Sequence, residues 1–544
     1  MKNSQIFTKV INSAWICLDG FSKKRALAIT LVGLLAFFAS MMIGLHQGTP
    51  EPYVEDEVSF LLASDTFAHG RLTNPMHPMS NHFEMMFILQ KPTYMSRFPP
   101  AQGAILAVGR VLFGHPIFGV WISVGLMCAA ICWMLYGWVP PKWAVIGGVI
   151  SILQFGLFSY WSQRYFGGAV AAFGGALVFG ALRRMIGSLR IWDTLFLGLG
   201  FFILANSRPY ECAVISIPVA GALLEWLLDK KRRPALRKLT AYFFLPLALV
   251  SFLTALEIGA YNKAVTGNAF QMPYILYEKT YMSVPIFTWQ SSKPEPNYGY
   301  DGTEVANKFF QKTRLSSETH PIGILLNGLR QFSYFYFGFY FIYVLLLPFL
   351  LILPGILRDR WMRFVLLTVS LLIVFVSLGR MGLYMPHYFA PITCLAVLLI
   401  LQSLRYLYIL KFRIRLFGKI LVFVILSGFL IYTFNYLPLR LYPYGPWLNS
   451  ARYVSGRTIV EKTLKKIDGR HLIIVRYDPK YYFSQRWVYN EADIDNAPIV
   501  WAHELDEAQN RDLIEHFKDR HIWLVTVHND GITYSGPVPY KPRS

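Results

Sequence analysis

Long apolar runs, most of them close to the ~20 residues that carry a helix across about 30 Å of hydrocarbon, alternate with short polar segments along most of the chain. They predict helices over 26–46, 116–138, 143–162, 166–185, 193–207, 209–228, 240–260, 333–356, 362–380, 390–410 and 418–437. The fifth and sixth form one apolar stretch broken at Asn206-Ser207-Arg208-Pro209. A turn there is preferred to a single kinked helix, because Arg208 would be costly in lipid. The short alternating segments of a membrane β-barrel are absent. The pattern is that of a polytopic α-helical membrane protein with about eleven transmembrane helices.

Three long polar segments interrupt or follow these runs: 47–115, 262–332 and the region from about 440. In the last, Leu472–Val475 and Ile522–Val527 read as short buried strands, with Pro498–Trp501 a weaker third. Asp506–Arg520 has helical spacing, with Leu513, Ile514 and Phe517 on one face. A small α/β domain over 440–544 is expected beside a transmembrane domain over 1–439.

Charge fixes the expected orientation. The net charge is +21, yet only 15% of residues are charged. The cations sit between apolar runs, where they orient helices and meet anionic headgroups, so nucleic acid is not the expected partner and membrane lipid is. With the N-terminus in the cytoplasm, the inner connections hold Lys23, Lys24 and Arg25; Lys142; Arg183, Arg184 and Arg190; Lys230 to Arg233; Arg358, Arg360 and Arg363; and Lys411, Arg413, Arg415 and Lys419. Every one is basic, as the positive-inside rule requires, and the alternation closes only with a turn at 206–209. The segments 47–115 and 262–332 and the C-terminal domain then lie outside the cytoplasmic membrane. The five cysteines imply neither a disulfide framework nor a metal cluster.

Candidate chemistry starts in the first outside segment. Glu55-Asp56-Glu57 opens an amphipathic stretch in which Val58, Phe60, Leu61, Leu62 and Phe67 recur at helical spacing and Gly70 supplies a stop. Such a helix could lie along the membrane surface. Acids in a first turn complement the helix dipole; the functional alternative is a general base or metal ligand facing a membrane-embedded substrate. An acidic Asp-Glu pair after one span, a helix ending in Gly, and a second amphipathic segment from Phe98-Pro99-Pro100 through Phe113-Gly114 together resemble the GT-C membrane glycosyltransferases. The branch resembled holds the protein O-mannosyltransferases and lipid A aminoarabinose transferases (glycosyltransferase family 39-like). The likeness covers roughly 47–440 as topology and is specific around Asp56-Glu57 and Phe98–Gly114.

The resemblance implies an inverting sugar transfer from a polyprenyl-phosphate-linked donor to a glycan, lipid or protein acceptor, with Asp56 as the base and Glu57 beside it. Glu55-Asp56 is also an acidic pair, so the register stays open. Arg164, Arg208 and Arg380 fall at span ends on the same side as Asp56 and suit a leaving phosphate; snorkelling to headgroups is their other reading. Tyr384, His387 and Tyr388 precede Pro391, where relatives carry carrier-binding residues. Some relatives use a divalent cation, and His69, His77, His82 and Glu84 share the first loop, but their spacing fits no zinc pattern. Two other readings remain: a transporter or flippase, which would place ionisable groups at midspan, and a noncatalytic scaffold. The charges here sit mainly at span ends.

Overall fold

The computed structural model describes residues 13, 15–157, 159–296, 301–380, 385–409, 417–441, 455–478, 487–528 and 533–541. Tyr384 and the basic segment 411–415 lie outside these. Among the described residues eight helices are long and apolar enough to cross a membrane, and Pro141–Leu157 and Ile191–Ala205 are shorter apolar helices at two further expected positions. The chain is a multi-pass membrane protein.

The first apolar helix, α1 (Arg25–Gln47), is followed by α2 (Glu55–Ala68), α3 (Pro100–Phe113), α4 (Ile117–Leu135) and α5 (Pro141–Ser151). The third span was expected as one helix to 162. Instead α5 passes at Ile152 into a π-turn ending at Leu157, where the Ser40 hydroxyl of α1 donates to the Gly156 carbonyl at 3.2 Å. Then come α6 (Ala169–Gly187), α7 (Ile191–Ala205) and α8 (Pro209–Leu228). The expected turn is present: α7 stops at Ala205, and Pro209, which has no N–H to lose, opens α8.

A continuous helix, α9, runs Leu236–Thr266. The second loop carries α10 (Pro273–Tyr281) and α11 (Asp301–Thr319). The span expected at 333–356 is split: α12 (Pro321–Tyr336) gives way at Gly338, whose φ of +65° breaks the helix, to α13 (Gly338–Ile356). The last apolar helices are α14 (Arg360–Gly379), α15 (Thr393–Ile409) and α16 (Phe417–Leu441).

Close helix approach rests on glycine, as the small residues of the fourth span suggest. A Cβ on Gly175 of α6 would sit 1.8 Å from the Pro391 carbonyl, so only glycine lets the segment before α15 lie against α6.

The first loop forms a small antiparallel sheet, β1 (Asn74–Pro75), β2 (Ile88–Leu89) and β3 (Thr93–Ser96), in the order β1-β3-β2. Beyond α16 the chain builds α17 (Gly456–Leu464), β4 (His471–Tyr477), β5 (Ile499–His503), α18 (Glu507–His516), β6 (His521–Val527) and β7 (Tyr534–Pro539). The sheet order is β5-β4-β6-β7, with β4 parallel to both neighbours and β7 antiparallel to β6.

Alternation along β4 sends its side chains to two different cores. Ile473 and Val475 pack with Val460 and Leu464 of α17. Leu472 and Ile474 pack with Leu513 and Phe517 and also with Val58 and Leu62 of α2 and Phe83 and Met85 of the first loop. This corrects the reading of α2 as a helix on the membrane surface: its other sides meet Leu106, Trp121 and Phe166 through Phe60, and Met95 and Tyr277 through Ala63. Asp65 of α2 accepts from the Ala492 N–H at 2.7 Å and pairs with Arg110 at 3.0 Å.

Candidate functional site

The first turn of α2 is anchored by Glu57. Its Oε2 accepts the Tyr53 N–H at 2.7 Å and its Oε1 the Tyr165 N–H at 3.0 Å. Arg164 Nη1 approaches the same Oε2 at 3.3 Å and donates to the Glu51 carbonyl at 3.0 Å. Both side chains are buried. Successive helix residues are about 100° apart, so fixing Glu57 inward turns Asp56 and Glu55 to another face.

That face opens on a cavity of about 480 Å³, lined by Glu55 and Asp56 but not by Glu57 or Arg164. Two expectations change here. Arg164, read as a phosphate ligand, is a structural partner of Glu57. Of the two acidic pairs, the one that lines the cavity is Glu55-Asp56. Burial pushes the Asp56 carboxyl up to about 6; Arg97 opposes the rise, Glu55 adds to it, and Arg208 opposes it again.

The other walls come from distant elements. Arg208, the residue before α8, and Arg380, which follows α14, both line the cavity and both face the ring of Tyr388, their guanidinium carbons 5.0 and 3.8 Å from its centroid. Arg380 is ion-paired with Glu211 at 2.8 Å. His387 lines the cavity as well, its Nδ1 2.8 Å from the Tyr160 hydroxyl. Burial, and then the charges of Arg208 and Arg380, hold its pKa well below the usual histidine range. The fold therefore gathers Asp56, Arg208, Arg380, His387 and Tyr388 around one space.

Arg97 completes that space and was not singled out from the sequence, although it directly precedes Phe98-Pro99-Pro100. Its guanidinium carbon lies 3.7 Å from the Phe87 ring centroid, 4.4 Å from that of Tyr274 and 4.8 Å from that of Tyr277. The side chain is buried, its Nε has no hydrogen-bond partner among the described residues, and no carboxylate there lies within ion-pair distance. Phe87, beneath it, has a φ of +67°, rare for a bulky residue. The strain is held by two bonds to the Phe87 carbonyl, from Ser59 Oγ at 2.7 Å and Arg97 N at 3.1 Å. Such strain clusters where a site must be held rigid. Glu278 of α10 also lines the cavity; being the one acid of the segment Pro273–Tyr281, one helical turn after Tyr274, was its only mark in the sequence.

The loop histidines do not converge on the cavity. The ring nitrogens of His82 lie 2.8 and 3.1 Å from the carbonyl oxygens of His503 and Gln509, and His69 bonds to the Asp65 carbonyl. Among the described residues one trio has the spacing of metal ligands: His77, Asp495 and His516. Asp495 Oδ1 lies 3.1 Å from His77 Nε2 and 2.9 Å from His516 Nε2. The other nitrogen of His77 accepts the Met79 N–H at 3.0 Å. That puts its proton on Nε2, facing Asp495, and leaves no lone pair there for a cation. A divalent cation would require His77 to give up the Met79 bond, and the trio does not line the cavity.

No protein-family model matches the chain, and neither does any curated protein sequence. Among solved structures it is similar to the Archaeoglobus fulgidus oligosaccharyltransferase in complex with zinc and sulfate, at 11% identity and a TM-score of 0.49, over 92% of this chain and 67% of that one. It is also similar to ArnT from Cupriavidus metallidurans bound to undecaprenyl phosphate, at 12% identity and a TM-score of 0.46, over 92% of this chain and 93% of that one. ArnT is a lipid A aminoarabinose transferase, a member of the branch that the sequence resembles.

Proposed function

We propose that the protein transfers a sugar from a polyprenyl-phosphate-linked donor to an acceptor at the outer face of the cytoplasmic membrane, with inversion and with Asp56 as the base. The observation that supports this is the cavity: the Asp56 carboxyl, its pKa raised by burial, and three arginines line it together. Arg208 and Arg380 bracket helices whose inner ends are basic, which supports an outward-facing site.

In this reading the acceptor binds with its nucleophilic O–H or N–H against Asp56. The nucleophile attacks the anomeric carbon from the side opposite the phosphate, and its proton passes to the Asp56 carboxylate. The anomeric C–O bond breaks, its electrons go to the phosphate, and the polyprenyl phosphate leaves with one more negative charge. Arg97 and Arg208, neither ion-paired among the described residues, meet that charge. Arg380, neutralised by Glu211, orients Tyr388. Glu57 and Arg164 hold the first turn of α2 in place. Among the described residues the region 440–544 supplies no lining residue; it acts as a brace, or selects the acceptor.

The test uses purified protein in lipid nanodiscs with undecaprenyl phosphate carrying a radiolabelled sugar and a membrane extract as acceptor source. Transfer with inverted anomeric configuration, lost in Asp56→Asn, is expected; retention of configuration would overturn the mechanism. For orientation, an alkaline phosphatase fusion should be active after Asn268 and inactive after Arg233.

A further inference from the structure

The proposed reaction gives a task to the base and to the arginines but leaves one buried carboxylate without one. Glu278 is 6% exposed, on α10 of the second loop, and lines the same cavity as Asp56. Among the described residues no cation lies within ion-pair distance of it, and after the nearby cations only the backbone N–H of Ile286 favours its charged form. Its cavity neighbours on this loop include Ile275, Met282 and Val284. Burying a carboxylate among apolar side chains without an ion pair is costly, and burial correspondingly raises its pKa, with Arg97 the first cation opposing the rise.

A carboxylate is also the wrong group to place against a phosphate. In a cavity that binds an anion, it marks where a hydrogen-bond donor of the ligand sits. A sugar presents hydroxyl donors in pairs, and a carboxylate offers two oxygens to receive them in charge-assisted bonds. Tyr274, one turn earlier on the same helix, also lines the cavity and flanks Arg97, so α10 spans the passage from phosphate site to sugar site.

We propose that Glu278 is the residue that reads the transferred sugar, accepting hydrogen bonds from its hydroxyl groups while the arginines hold the phosphate. This rests on the function proposed above.

The experiment compares the full-length wild type with Glu278→Gln and Glu278→Asp in nanodiscs. Binding is measured by ligand-induced thermal shift for undecaprenyl phosphate alone and for undecaprenyl phosphate carrying glucose, mannose, galactose or arabinose. In the wild type at least one sugar strengthens binding over the bare carrier. Glu278→Gln is expected to lose about tenfold or more of that gain while binding the bare carrier as before, and Glu278→Asp to retain part of it. Equal weakening for the bare carrier and the sugar-bearing donor would overturn the proposal, as would an undiminished gain in Glu278→Gln. So would a wild type that binds no sugar-bearing donor better than the bare carrier. The proposed transfer reaction fails by a different sign: donors bind, sugar discrimination depends on Glu278, and no sugar is transferred.

Discussion

Glu57 and Asp56 are chain neighbours in one helical turn, and Arg164, Arg208 and Arg380 shared one expected role, yet the fold sorts both sets into opposite kinds of site. Around Glu57 both carboxylate oxygens are occupied, its cation is buried beside it, and three backbone N–H groups point at it. Burial raises the pKa of both carboxyls, but Asp56 lines the cavity together with Arg97 and Arg208 and, among the described residues, has no cation within ion-pair distance. A satisfied acid–base pair stabilises structure; an unsatisfied one, held open by its satisfied neighbour, is available for chemistry. Composition cannot distinguish the two, because both use an acid and an arginine.

The sharpest way to break this contrast is Asp56→Asn. It keeps shape and removes the base, so turnover should fall roughly a hundredfold or more with no loss of thermal stability. Near-normal turnover would end the catalytic reading of this residue. Glu57→Ala should do the reverse. It leaves Arg164 buried without its partner, a change of about 3–5 kcal/mol in stability, read as a lowered melting temperature or poor accumulation. A fully stable Glu57→Ala protein would show that the brace is not one.

Arg208→Lys keeps charge but loses the planar fork; the donor KM should rise about tenfold, whereas Arg164→Lys should leave it unchanged in the protein that folds. Equal donor KM values in the two variants would erase the distinction between them. The smallest effect is in pH. Asp56 acts only when deprotonated, so kcat/KM should fall as pH falls through about 6. Glu55→Gln removes a like charge that raises the Asp56 pKa, so the midpoint should move down. An upward shift, or no limb near that pH, would contradict the arrangement.

Much of this was legible in the sequence where a single helix decides the matter. The turn at 206–209 followed from an arginine that lipid would not accept and a proline that opens α8. The acidic start of α2 and the strands 472–475 and 522–527 followed from local pattern. What stayed hidden needed partners far along the chain. Neither Arg164 nor Arg208 shows its role locally; the Glu57 that claims one and the Tyr388 that faces the other are distant. The break at Gly338 and the π-turn at Ile152 interrupt runs that stay apolar throughout, so hydropathy continues where the helix does not. β7, with Gly536 and two prolines, hides its alternation. The enclosure of α2 was missed because its covering residues are scattered along the chain, those of β4 and α18 more than 400 positions later.

That last separation bears on how the protein comes into being. When residues 55–57 leave the ribosome, the residues that wall in the far side of their helix have yet to be synthesised. Val58, Leu62, Phe83 and Met85 lack part of their packing until β4 and α18 have been made. A chain stalled before residue 472 would carry its acidic turn and every arginine of the cavity, yet would show sticky loop surface to the folding helpers and proteases of its compartment. Packing of the helix that opens with Glu55-Asp56-Glu57 thereby waits on residues made more than 400 positions later.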